Sequence, residues 1–164
     1  MIAPLSLVYY AATGLVLLLV QLNLGYIAVE SVTPDLLVIL TVFITLREGQ
    51  LAGEIAGFLL GLMFDLISSD ITGTNALSKM LAGFVAGFFY DPELDLTESI
   101  GSFRFLGVMA VAALVHNIVY YFFYVQPTDL NFGGFFLRSG IAATFYTTVV
   151  AVLVMLASAR KQRW

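Results

Sequence analysis

Long apolar runs, each interrupted by only a few polar positions, follow one another along almost the whole chain. The first extends from Pro4 to Leu24 without a charged residue. Cutting the remainder at charge clusters, prolines and glycines predicts five more: Pro34–Leu46, Gly49–Ser68, Gly73–Tyr90, Phe103–Val125 and Gly134–Ala157. A bilayer core of about 30 Å requires roughly 20 helical residues at 1.5 Å each. The second run is short when started at Pro34. Either it begins near Tyr26 and kinks at the proline, or it is a half-buried segment. The expected architecture is an all-α integral membrane protein, one domain over residues 1–164, with six transmembrane helices, or five if the second run does not cross.

Composition agrees with that pattern. Of 164 residues, 60% are hydrophobic and 11% charged, and the mean hydropathy is +0.98. Soluble domains are about a quarter charged, and one of this size buries only about 70% of its unfolded surface. The excess apolar surface is therefore expected to face lipid. The N-terminal stretch lacks a basic leader and a small-x-small cleavage site, so it reads as a retained span. With six spans, Arg47, Arg104, Arg160, Lys161 and Arg163 collect on one side and the opposite loops hold no basic residue. Both termini are then expected in the cytoplasm.

Polar positions within the runs carry the remaining information. Gly53, Gly57 and Gly61 recur every four residues, and Gly83 and Gly87 repeat the spacing. Such small-residue ridges let helices approach closely, whether inside a bundle or at a partner. Glu54 and Asp65 fall near the same face, with Glu54 close enough to the helix end to reach the interface. Asp65 and Lys79 lie equidistant from the turn at SSDITG, so a hairpin predicts an ion pair or a shared hydrogen-bond network. Carboxylates in lipid cost about 3 kcal/mol on insertion scales and turn toward protein or water. His116 and Asn117 are expected to bond to neighbouring helices, Arg138 to reach the outer interface or Asp129, and Asp35 to cap the second helix. The acidic DPELDLTES stretch reads as a short surface helix or a docking loop.

The lack of cysteine excludes disulfides and thiolate chemistry. Neither HExxH, GxSxG nor a Walker loop is present, so the expectation is a protein that is not an enzyme and uses no cofactor. There is no basic patch for nucleic acid.

The run from Pro34 to Phe89 resembles the signature region of the bacterial rod shape-determining MreD family. The matching positions are Pro34, Arg47, Gly57, Phe58, Gly61, Asp65, Leu66 and Gly73, and the detailed resemblance covers about a third of the chain. It departs from the family in the acidic DPELDLTES loop. The resemblance implies a non-enzymatic inner-membrane subunit that binds MreC and works beside MreB, RodA and the elongation transpeptidase in lateral peptidoglycan synthesis. It also implies a fold similar to the S-components of energy-coupling-factor transporters. A solute-binding subunit of that kind is the alternative, with Asp65, Lys79 and Arg138 near its pocket, although the sequence shows no concentrated set of polar side chains for a solute.

Overall fold

The computed structural model describes residues 4–28, 32–68, 71–126, 128 and 130–160. It is all-helical: α1 (Pro4–Asn23), α2 (Leu36–Glu48), α3 (Gln50–Ser68), α4 (Thr74–Gly87), α5 (Leu96–Ile100), α6 (Phe103–Val125), α7 (Phe132–Phe135) and α8 (Ile141–Arg160). A π-helical turn, Phe136–Gly140, joins α7 to α8. The expected span Phe103–Val125 coincides with α6 at both ends.

Among the described residues, four helices are long and apolar enough to cross a membrane: Leu5–Asn23, Gln50–Ser68, Phe103–Val125 and Phe132–Ala159. The expectation of six full spans is corrected here. With 13 and 14 residues, α2 and α4 each rise only about 20 Å at 1.5 Å per residue. Local backbone chemistry sets those lengths. Asp35 caps the start of α2, and Gly49 at φ 97° turns the chain after its end. Gly73, also at φ 97°, starts α4. Both positions need the left-handed backbone that glycine adopts without strain.

The short helices belong to the interior. Val38, Ile39, Val42 and Leu46 of α2 are buried, as are Ala82 and Ala86 of α4. They pack with Phe105, Met109 and Ala112 of α6 and with Ala151 and Met155 of α8. A helix apolar on every side, as α2 is, is suited to such a position. In contrast, α1 and α3 expose Leu5, Leu15, Leu19, Leu51, Ile55 and Leu66, as lipid-facing helices do. The acidic DPELDLTES segment runs into the short helix α5, whose last residue, Ile100, is 0% exposed, so the segment is anchored in the core at that end.

The glycine ridges join α3 to α4. A Cβ on Gly57 would lie 2.5 Å from the Lys79 carbonyl oxygen, and one on Gly61 2.6 Å from the Ala76 Cα. On Gly83 it would meet the Gly53 carbonyl at 2.7 Å. Gly53 itself faces the Thr45 side chain of α2, and Gly87 faces Gln50. Packing of this kind replaces the hydrophobic drive that lipid does not supply. Gly107 differs, because nothing lies within 4 Å of its Cβ position. Gly107→Ala is expected to raise the melting temperature in detergent, reflecting about 0.5–1 kcal/mol of helix propensity.

Candidate functional site

The buried polar centre is built on Asp35. Its Oδ1 accepts hydrogen bonds from the backbone N–H of Leu37 and Val38, both at 3.0 Å, and so caps α2. Its Oδ2 accepts from Lys79 Nζ at 2.7 Å and lies 3.2 Å from His116 Nε2. Its backbone N–H donates to Thr147 Oγ1 at 3.0 Å. One residue therefore ties together α2, α4, α6 and α8. Lys79, 1% exposed, also donates to Asn75 Oδ1 at 2.7 Å, one turn back on α4. A buried charge is tolerated when it is paired and hydrogen-bonded, and Lys79 has Asp35 as its counter-ion and Asn75 as a second acceptor.

The expected Asp65–Lys79 ion pair is corrected by this arrangement. Asp65 is buried, but its carboxylate accepts from the backbone N–H of Gly73 at 2.9 Å, Asn75 at 3.2 Å and Ala76 at 3.0 Å. These are among the amides at the start of α4, which have no partner within their own helix. Gly73 at the N-cap has no side chain to serve them, so Asp65 does so from across the hairpin. Asp65 and Lys79 remain linked indirectly, because Asn75 bonds the first through its backbone and the second through its side chain. Asp65→Ala is expected to cost about 2–3 kcal/mol by leaving charge-assisted hydrogen bonds unmade. Amide hydrogen exchange at Gly73, Asn75 and Ala76 should then accelerate; unchanged exchange would contradict the cap.

The other sequence-derived candidates separate clearly. His116 reaches Asp35, and Asn117 donates to Thr144 Oγ1 at 2.9 Å, joining α6 to α8. Glu54 is half-buried, with no side-chain hydrogen bond or ion pair among the described residues, and takes no part in the centre. Arg138 is exposed on the π-helical turn and lines the cavity described next. Its expected partner Asp129 lies outside the described residues. Sequence reasoning recognised Asp35 as a cap but missed it as the partner of Lys79.

Beside the Asp35 centre lies a cavity of about 500 Å³, whose wall includes Asp35, Asn75, His116, Asn117, Tyr121 and Arg138. The polar set that the sequence did not reveal comes together from four helices. Four near-parallel rings run along one side, His116, Tyr120, Tyr124 and Phe135, with successive centroids 5.9, 5.9 and 5.8 Å apart. The first three are spaced by four residues along α6, so that they share one helix face. Asn75 Nδ2 and His116 Nδ1 are buried without a hydrogen-bond partner. Among the described residues there is no cluster of His, Cys, Asp and Glu able to hold a metal ion.

No protein-family model, curated protein or solved structure matches the chain.

Proposed function

We propose that this protein is an MreD-type, non-enzymatic subunit of the bacterial cell-elongation machinery, and that it binds MreC in the cytoplasmic membrane. MreB, RodA and the elongation transpeptidase belong to the same assembly in this reading. The observation that carries it is the structural coherence of the residues behind the resemblance. Pro34 immediately precedes the Asp35 cap of α2, and Arg47 stands beside the α2–α3 turn. Gly57 and Gly61 seat α3 on the α4 backbone, Asp65 caps α4, and Gly73 makes the turn between them. Six of the eight matching positions thus lie in or beside one unit, while Phe58 and Leu66 are exposed on α3.

The reading places both termini in the cytoplasm, with the short helices α2 and α4 packed inside the longer ones. Arg47 and Arg104 support that orientation. Arg47 ends α2, and Arg104 Nη2 donates to the Phe89 carbonyl beyond the end of α4, so both mark the same end of the bundle. Because the glycine ridges are filled by α3 and α4 themselves, MreC meets the lipid-facing exterior rather than a glycine groove. Depleting the chain in its own bacterium is expected to turn rods into spheres as lateral wall synthesis stops. Cells that keep their rod shape and width would overturn the reading.

The cavity favours a second reading, a solute-capturing subunit resembling an S-component, because its polar wall lies at the end of the bundle opposite Arg47.

A further inference from the structure

We infer that the groove between α1 and α3 holds one acyl chain of a phospholipid whose phosphate rests on Arg47. This goes beyond both functional readings and depends on neither.

The groove is built for hydrocarbon. At Gly14, α1 comes close to α3, where a Cβ would lie 2.8 Å from Leu60 Cδ2. Around that contact the helices leave a space of about 360 Å³, with Leu7, Ala11 and Leu15 on one wall and Ala52, Ala56 and Met63 on the other. The rim is open to the bilayer, since Leu7, Leu15 and Met63 are exposed. Tyr10 alone in the lining carries a strong hydrogen-bonding group, and its hydroxyl donates to Glu48 Oε1 at 2.6 Å. A polar solute finds no donor or acceptor set here.

Width decides between a lipid chain and a helix. From Ala52 to Met63 the wall rises about 16 Å at 1.5 Å per residue. Spread over that length, the space has a mean section of about 22 Å², or about 5 Å across. An α-helix with its side chains is about 10–12 Å wide. A partner's helix, or one from a second copy, can lie over such a groove but cannot enter it. Non-bonded carbons touch at about 4 Å, so a single methylene chain fills the width.

Charge at one end supplies the headgroup. The Arg47 guanidinium lies 6.0 Å from the centroid of the Tyr10 ring, which lines the groove. Its side chain is 43% exposed and meets Glu48 at 3.5 Å through Nε, well beyond the roughly 2.8 Å of a close charge-assisted bond. Guanidinium groups favour phosphate, which they bind through paired N–H donors. A phosphate joined to acyl chains matches an arginine at the mouth of a hydrocarbon groove.

The test is native mass spectrometry of the full chain in detergent, titrated with dioleoylphosphatidylglycerol, with dioleoylglycerol as the phosphate-free comparison. One phospholipid per chain should bind in preference to dioleoylglycerol, and Arg47→Gln should abolish that preference. Ala11→Phe and Ala56→Phe fill the groove from opposite walls, and each should weaken binding about tenfold, the worth of two buried methylenes. Val16→Phe, on an exposed face of α1 outside the groove, should leave binding and the melting temperature unchanged. Because Ala11 is itself exposed, its variant keeps the test decisive if Ala56→Phe fails to fold. Equal uptake by the native chain and all the variants would reduce the lipid to a nonspecific shell and overturn the site. Equal binding of dioleoylglycerol by the native chain would overturn the role of Arg47. A dimer that Ala11→Phe dissociates would assign the groove to a second copy instead.

Discussion

Lys79→Met is expected to destabilise the protein by about 3–5 kcal/mol, the scale seen when one member of a buried ion pair is removed. The side chain is 1% exposed, and its ammonium touches both Asp35 and Asn75. Removing it leaves the Asp35 carboxylate without its ammonium partner in a medium of low dielectric. Adding Asp35→Asn should recover most of the loss. The side-chain carbonyl oxygen introduced by that change can still cap α2, since asparagine is among the best N-cap residues. His116 can change tautomer to accept from the new amide. By contrast, exchanging the charges of Asp65 and Lys79 should rescue nothing, because the two groups do not face each other as an ion pair. Unfolding in mixed micelles by increasing fractions of sodium dodecyl sulfate would measure all of these variants. Rescue by the Asp65–Lys79 exchange, or no rescue by Asp35→Asn, would contradict the assignment.

Gly61→Ala is the second large effect, expected at about 3 kcal/mol, the upper part of the range for overpacking a close-packed interior. The added methyl group would lie 2.5 Å from the Asn75 carbonyl carbon and 2.6 Å from the Ala76 Cα. These are backbone atoms, so no rotamer change can make room and α3 must move away from α4. That movement also pulls Asp65, one helical turn further on, from the amides it caps. Gly25→Ala serves as the control, since nothing lies within 4 Å of that Cβ position. A Gly61→Ala protein as stable as the Gly25→Ala protein would show that the close approach carries no energetic weight.

Much of the helix plan was legible because apolar runs in a membrane chain are bounded by few but decisive residues. The run Phe103–Val125 is flanked by polar and turn-forming residues, and α6 occupies it end to end. The number of full crossings was not legible, because a run that is apolar on all sides reads the same whether lipid or protein surrounds it. The burial of α2 shows that protein surrounds it, and only three-dimensional packing supplies that. The Asp65–Lys79 expectation followed from equal depth in a hairpin, which treats side chains as each other's only partners. It omitted the amides of α4, which lack an acceptor after Gly73. A glycine at an N-cap is itself the available signal, since an acceptor must then come from elsewhere. The cavity was hidden for a different reason. Its wall draws on Asp35, Asn75, His116 and Arg138, positions far apart in the chain that only the bundle brings together.

The protein thus has two layers. The glycines, Asp65 and the Asp35–Lys79–His116 centre hold the helices in register, while in the proposed role the partner-facing surface lies on the lipid-exposed exterior. The most direct test of that role is affinity purification of the full chain from its own bacterium, solubilised in mild detergent, followed by identification of what remains bound. The proposal predicts MreC in a stable stoichiometric complex. A chain that purifies without MreC, and instead carries an ATPase module, would contradict it.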